Sequence, residues 1–460
     1  MLKESLISEF QKIVGKDNVL TSPEALKAYS YDGTTSWVHE PDVVIFPTST
    51  DEVSRIMKLA NAEKIPVTPR GGGTNVSGGS VPWHGGVVLV MTKFNQILKV
   101  DKENLTATVE PGVVLQDLTL RLAKEGLFFP PDPQSFLGAT MGGIISENAG
   151  GPAGVKYGVT KQYVLGVEVV LPSGEVIHLG GRTLKNVVGY DLLHIFISSE
   201  GTLGVITKAE LKLNPLPQAR KTLCVVYDDV SIAGEGVFRV LENGVIPCKI
   251  EMVDNWVINR IEEMMPIGLP KDADACLFFE VDGIPEVVEK EAQKIAEITK
   301  QYGAKEARIA PNMDEANKYW LARRAGFAAV FGKAKQVFAE DVTVPRGNIP
   351  KFVKKIRELA KKYDVEIVVL GHAGDGNLHP AVLTDPANKD HYERALKAVD
   401  EIIESAAVEF GGVLSGEHGI GLEKQKFMRK VTEPAVINMM KGIKALIDPN
   451  NIMNPGKIWE

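Results

Sequence analysis

The sequence predicts an α+β protein of two domains, the second built on a largely antiparallel sheet, and three observations predict it. The chain is 460 residues long, more than one hydrophobic core usually holds. Its first half sets glycine-rich loops among short apolar strands, while its second half alternates strand-length apolar runs with amphipathic helices. Between the halves stands Asn214-Pro-Leu-Pro217, whose prolines forbid a continuing regular element. A domain boundary is therefore expected at residue 214, giving domains 1–214 and 215–415, with 416–460 returning to the first.

Each element follows from a local pattern. The N-terminus, to about residue 15, reads as an amphipathic helix and not as a signal peptide. Residues 51–63 are helical by period, with Thr50 as N-cap and Val53, Ile56, Met57 and Ala60 on one face. Strands are expected at 87–91, 164–171 and 176–179, with Pro172-Ser-Gly174 turning between the last two. Beyond the boundary, strands at 223–227, 248–252, 276–281 and 336–342 alternate with helices at 285–302 and 349–363. Further helices are expected at 390–410 and 434–447.

Composition narrows the class. A hydrophobic fraction of 44% and a charged fraction of 24% are ordinary for a globular protein. The net charge of −7, with no concentrated basic patch, argues against a general nucleic-acid binder. Cys224, Cys248 and Cys276 are far apart, which excludes Cys-x-x-Cys, an iron–sulfur ligand run or a disulfide framework. No apolar run approaches the ~18 residues of a membrane span. A reducing cytoplasm is the expected compartment.

Two constellations carry chemistry. The first is His372-Ala-Gly-Asp-Gly-Asn-Leu-His379 with Glu417-His418. Alternating apolar residues run into it, and Asp375-Gly376 is a type I′ turn signature. Closing a hairpin there pairs 374 with 377, 373 with 378 and 372 with 379, so the two histidines face each other with Cβ atoms roughly 4.5–5.5 Å apart. Imidazoles at that separation can share a divalent metal, and a carboxylate such as Glu417 makes a third ligand with a position left open. The competing interpretation is a pair of half-buried histidines bonded to backbone. Glycines in Ser415-Gly-Glu-His-Gly-Ile-Gly421 let neighbouring Glu417 and His418 both turn inward.

The second is a set of glycine-rich loops. Pro69-Arg-Gly-Gly-Gly-Thr-Asn-Val-Ser-Gly-Gly79 has the composition of a backbone cradle for phosphate, yet it is neither a P-loop nor a dinucleotide fingerprint. Pro130-Pro-Asp-Pro133, the stretch from Gly138 to Gly151, Lys156-Tyr-Gly158 and Ser198 to Thr207 follow. Together they suggest one extended ligand held by many backbone contacts.

Arg70-Gly-Gly-Gly-Thr74, Pro-Pro-Asp-Pro, Gly-Gly-x4-Asn-Ala-Gly-Gly and Glu200-Gly-Thr-Leu-Gly204 resemble the FAD domain of flavoproteins of the vanillyl-alcohol oxidase type. Gly371 to His379, Gly416-Glu-His-Gly419 and Asn454-Pro-Gly-Lys457 resemble the C-terminal domain of its D-2-hydroxyacid dehydrogenase branch, with glycolate oxidase flavoprotein subunits and D-lactate dehydrogenases. The resemblance spans roughly 35–460. It implies a two-subdomain FAD-binding domain and an α+β substrate or cap domain.

By that resemblance, FAD is expected against Pro69, Arg70, Gly71, Gly72, Gly73, Thr74, Asn75 and Gly78 in the first loop, and Pro131 and Asp132 in the proline loop. Gly138, Thr140, Gly142, Gly143, Ser146, Asn148, Gly150 and Gly151 follow, then Tyr157 and Gly158, then Glu200, Gly201, Gly204 and Ile206, and finally Asn454. His372, His379 and Glu417 are the implied ligands of a divalent metal (zinc, iron or manganese). His418 is the implied general base, with a fourth metal ligand as its alternative role. Arg323 falls where relatives bind the substrate carboxylate, with a structural charge as its alternative, and Arg324 reads as solvated.

Departures from relatives sharpen the expectation. The branch acting on D-2-hydroxyglutarate carries lysine near Ala339 and asparagine near Ala381, so this chain favours a small monocarboxylate such as D-lactate or glycolate. Covalent flavoproteins of this type often place histidine after Arg-x-Gly-Gly, and Thr74 stands there instead, so FAD is expected to be noncovalent. With no iron–sulfur cysteines and no nicotinamide fingerprint, electrons are expected to leave to an electron-transferring flavoprotein or an iron–sulfur subunit. Two rival readings are an oxidase of another alcohol using oxygen or quinone, and a non-redox nucleotide-binding protein.

Overall fold

The computed structural model, which describes residues 2–34, 36–332 and 334–459, divides into two compact units. One comprises Met1–Ala149, Val159–Leu216 and Glu417–Glu460; the other comprises Gly150–Gly158 and Pro217–Gly416. Among the described residues no helix is long and apolar enough to cross a membrane.

The first unit holds a four-stranded sheet in the order Val19–Leu20, Val43–Ile45, Val87–Val90, Val67–Arg70. The last three run parallel. Val43–Ile45 and Val87–Val90 are buried at every residue, which is why they read as unbroken apolar runs and not as alternating ones. Pro69 sits on the edge strand, where a missing N–H costs no ladder bond. Helix Thr50–Ala62 buries Val53, Ile56, Met57 and Ala60, the face its period foretells. Its N-cap is Ser49, whose hydroxyl accepts from Glu52 N at 3.3 Å, and not Thr50.

A five-stranded antiparallel sheet follows, ordered Ile97–Asp101, Thr106–Val109, Val205–Lys212, Val164–Val170, Val176–Gly180. Asn214–Pro215 pairs with Phe128 and Leu127, contrary to the expectation that its prolines exclude regular structure. This two-strand ladder is all edge, and there proline is tolerated. Residues 417–460 end against the first sheet, where Val67 N donates to Ile452 O at 2.7 Å and Asn454 N to Val67 O at 2.8 Å.

The second unit is an eight-stranded antiparallel sheet ordered Glu306–Ile309, Ala219–Tyr227, Ala275–Gly283, Lys249–Asp254, Glu366–His372, Asn377–Thr384, Gln336–Ala339, with Val342–Thr343 also on Asn377–Thr384. One face presents Cys224, Val226, Val253, Phe278, Leu370 and Ala381 to helices Asn255–Met264 and Met313–Phe331, which answer with Ile258, Ile261, Tyr319, Trp320 and Ala322. Each such large side chain contributes about 1.5–3 kcal/mol when fully buried. The expected strand 336–342 breaks at Glu340-Asp341, because Asp341 turns its carboxylate into the unit. The expected helix 390–410 is Lys389–Glu404 followed by a π-helical turn, Ser405–Glu409.

The hairpin register differs from the sequence reading. His372 pairs with Asn377, Gly371 with Leu378 and Leu370 with His379. The turn is a four-residue loop, 373–376, in which only Gly376 has a positive φ, of 89°, whereas type I′ needs two such residues. Gly374 N donates to Ile250 O at 3.1 Å, and Asn377 N donates to Asp375 Oδ1 at 3.3 Å, holding the wider loop open. The shift is by two residues, so both histidines keep the same face and become diagonal neighbours.

A Cβ at Gly376 would meet the carbonyl oxygen of Val344. Gly376→Ala should therefore destabilise the second unit by about 1–3 kcal/mol, from backbone strain and this clash. A lower denaturation midpoint checks it, and an unchanged midpoint would count against the loop geometry.

Candidate functional site

Register builds the site in the second unit. Met252 pairs with Gly371 and Val253 with Leu370, so the next step of that ladder sets Glu251 beside His372. Side chains two apart share a face, which puts Glu251, His372, His379 and Ala381 on the face beneath helix Met313–Phe331. Asn312 caps that helix by accepting from Glu315 N at 3.0 Å. From the helix, Arg323 and Phe327, one turn apart, reach the same face.

The polar groups there are buried. Glu251 is 0% exposed and Arg323 3%. His372 Nδ1 lies 2.6 Å from Glu251 Oε1, and Arg323 Nη2 lies 2.6 Å from Glu251 Oε2. The second contact is ionic and not a well-aligned hydrogen bond, since neither Oε2 nor Nη2 completes one among the described residues. Burial pushes the Glu251 carboxyl up, but His372, Arg323, the bond from His372 and the nearby His379 outweigh it and hold the group below its ordinary value. Glu251 is thus a carboxylate.

The histidine rings stand 5.2 Å apart, centroid to centroid, with planes at 89°, and each offers a ligand atom within 4.8 Å of the other's. His379 Nδ1 lies 3.2 Å from the Glu340 carbonyl oxygen, and Phe327 meets its ring edge-on at 6.4 Å. With Nδ1 of each ring donating to an oxygen, Nε2 carries the lone pair that a metal takes. The donor set fits a divalent metal.

Asp341 ties down the end of the second unit. It accepts from Asn377 Nδ2 at 2.6 Å, Ser415 Oγ at 2.5 Å and Gly416 N at 2.9 Å. Glu417 and His418 follow Gly416 directly and open the last segment of the first unit. There Glu200 accepts from Ile420 N at 2.8 Å and Gly421 N at 2.7 Å. Arg324 is exposed.

In the first unit the glycine loops close on one another. A Cβ at Gly71 would strike the Thr140 hydroxyl, one at Gly72 the carbonyl of Gly138, and one at Gly73 the Arg70 guanidinium. Arg70 Nη1 donates to Tyr31 O at 2.7 Å, and Asn75 Nδ2 donates to Asp32 Oδ2 at 2.8 Å. Asn454 Nδ2 spans Gly79 O and Glu200 O, each at 2.8 Å. Ser77 Oγ, Thr140 Oγ1 and Asn454 Oδ1 are buried without a hydrogen-bond partner among the described residues. Buried polar atoms left over in a ring of close-packed backbone fit a phosphate-bearing cofactor such as FAD.

Most of the expected cofactor residues, including Gly78, Pro131, Asp132, Gly142, Gly143, Ser146, Asn148, Gly201, Gly204 and Ile206, belong to this unit. Gly150, Gly151, Tyr157 and Gly158 instead belong to the second, where Tyr157 Oη donates to Asp282 Oδ2 at 2.8 Å and Lys156 reaches Asp282 Oδ1 at 2.5 Å. Glu251 and Asp341 were missed by sequence reasoning. A lone acid at an inward position of an apolar strand, as in Ile250-Glu251-Met252, is the pattern that could have found the first.

Residues 41–180 match the FAD binding domain family, and residues 216–458 match the family of FAD linked oxidases, C-terminal domain. The chain is 44% identical over 458 residues to glycolate oxidase subunit GlcD of Bacillus subtilis (strain 168), covering 100% of this chain and 96% of that protein. It is 35% identical over 461 residues to a D-lactate dehydrogenase of Anaerostipes hadrus, covering 98% and 97% respectively. The crystal structure of p-cresol methylhydroxylase with substrate bound matches with a TM-score of 0.79 over 99% of this chain and 96% of that one, at 20% identity, a likeness of fold alone.

Burial pushes the Asp32 carboxyl from 3.8 up to about 6, against the lowering effect of backbone bonds and Arg70. Between those values the folded state binds more protons than the unfolded chain, so stability falls as pH rises through the window. The loss amounts to about 3 kcal/mol once the group is ionised. Denaturation midpoints from acidic to neutral pH should show that slope, and Asp32→Asn should remove part of it. Asp254, which burial also pushes up to about 6, and the carboxyls of Glu110, Glu147 and Glu200, which burial likewise raises, contribute the rest.

Proposed function

The chain belongs to the FAD-linked oxidases of the vanillyl-alcohol oxidase type, and from that premise we propose that it oxidises a small D-2-hydroxy monocarboxylate, D-lactate or glycolate, to the 2-oxo acid. The observation that carries this reading is the buried face where His372, His379 and Arg323 gather around Glu251. A histidine pair and a guanidinium together suit a chelating hydroxy acid, because one end needs a metal and the other a cation.

FAD, when bound, supplies the hydride acceptor, and a divalent metal (zinc, iron or manganese) supplies acidification of the substrate hydroxyl. His372 and His379 would hold the metal, with the Glu417 carboxylate as third ligand. His418 receives the hydroxyl proton on its imidazole, whose ordinary pKa is near neutrality. Arg323 binds the substrate carboxylate, and its planar fork orients the acid as a point charge could not. Carboxylate, hydroxyl and C2 hydrogen are then fixed together, which selects one enantiomer, and the likeness to D-lactate dehydrogenase supports D.

Ala339 pairs with Ala381 across the strands beside His379, so that stretch of the site face carries two methyl groups and no polar partner for a second carboxylate. This supports a short monocarboxylate. Thr74 offers no histidine for attachment, which supports noncovalent FAD. Electrons pass on to a separate protein, an electron-transferring flavoprotein or an iron–sulfur subunit, a reading supported by the relative that is itself a glycolate oxidase subunit.

Under anaerobic conditions D-lactate should bleach the flavin absorbance, and L-lactate should not. His372→Ala, His379→Ala or Glu417→Ala should keep the flavin spectrum but slow bleaching by at least about 100-fold, since losing a metal-polarised hydroxyl costs several kcal/mol of barrier. Full bleaching rates in those variants would refute the metal role. Acid denaturation should release all the FAD into the supernatant, whereas flavin staying with the precipitated chain would refute noncovalent binding.

A further inference from the structure

Glu251 has no assigned role, yet it occupies the centre of the second unit's polar cluster. It sits inside an apolar strand, between Ile250 and Met252, and is fully buried. Burying a carboxylate costs several kcal/mol unless it is well partnered. Both of its partners are residues to which the reaction is given above, since Oε1 takes His372 Nδ1 and Oε2 takes Arg323 Nη2, each at 2.6 Å.

A simple structural ion pair would engage the arginine fork in two parallel bonds. Here the closest approach is through Nη2, and neither Nη2 nor Nε completes a hydrogen bond among the described residues. The guanidinium is therefore held in place while its Nε edge stays available to a second carboxylate. On the other side, the bond to Nδ1 fixes the tautomer of His372 and presents Nε2 as the ligand atom, the arrangement in which a carboxylate behind a histidine orients the ring and raises its basicity.

Building on the metal-dependent reading above, we infer that Glu251 is a positioning residue that serves two sites at once. It aims Nε2 of His372 at the metal and the free edge of Arg323 at the substrate carboxylate. One buried side chain thereby couples metal affinity to hydroxy-acid affinity. A residue acting only through packing would move neither.

The test uses the full-length flavoprotein, stripped of metal by a chelator and titrated with zinc against a chromophoric competitor. Glu251→Gln should bind zinc about 10–100-fold more weakly than wild type, raise KM for D-lactate, and leave the flavin spectrum unchanged. Should that variant fail to fold because Arg323 is left unneutralised, Glu251→Gln combined with Arg323→Met removes both charges and should still show the weakened zinc binding. Zinc bound as tightly by the folded variant as by wild type overturns the inference while leaving the metal reading standing. A wild-type protein that takes up no stoichiometric zinc overturns the metal reading itself.

Discussion

Inside the second unit a carboxylate without solvent access, Glu251, holds a histidine ring on one oxygen and a guanidinium on the other, and the candidate site is arranged around that contact. Removing one member of such a buried pair costs about 3–5 kcal/mol, because the other charge is left uncompensated. The strand Lys249–Asp254 must therefore lie next to Glu366–His372, and helix Met313–Phe331 must cross above them with Arg323 pointing down. Antiparallel pairing supplies the first condition through the Met252–Gly371 and Val253–Leu370 partners. The apolar contacts of Tyr319, Trp320 and Ala322 with Phe278, Leu370 and Ala381 supply the second.

The first unit meets its ligand by different means. Its loops are nearly all backbone, with glycines placed where a side chain would collide with Thr140, Gly138 or Arg70. Burial raises the Glu147 carboxyl, with the neighbouring Glu200 and Asp32 adding to it, and raises Glu200 as well, despite the N–H groups of Ile420 and Gly421. Lys457 is pushed down to about 8 by burial, against the pull of Asp32 and Glu200. Ionisable groups are thus gathered among the glycine loops, and burial disfavours their charged forms. The second unit, by contrast, builds with side chains projecting from strands and a helix, which set positions more rigidly than loops do.

Much of this was legible in the sequence. Burial on both faces wrote Val87–Val90 as an unbroken apolar run, and the period of Thr50–Ala62 gave its buried face, whereas the equally buried Val43–Ile45 is too short to have been read as a strand. His372 and His379 read as same-face neighbours because alternation survives a two-residue change of register. The register itself did not read, since Asp375-Gly376 resembles a tight turn locally. What widens the loop is the Ile250 carbonyl, far away in sequence, together with the Asp375 side chain. Glu251 and Asp341 stayed hidden for a related reason. Each is a single acid in an apolar neighbourhood, and only tertiary pairing reveals what it holds. Residues 150–158 looked continuous with the cofactor loops, yet Lys156 and Tyr157 are bound to Asp282 in the second unit.

The central claim is that two imidazoles, aimed by oxygen acceptors behind them, hold one metal. X-ray absorption at the zinc edge of the zinc-loaded flavoprotein tests it most directly. The account predicts one zinc per chain with two imidazole nitrogens at about 2.0–2.1 Å and the remaining ligands oxygen. A spectrum with no imidazole scattering, or zinc bound only at scattered surface carboxylates, would contradict it.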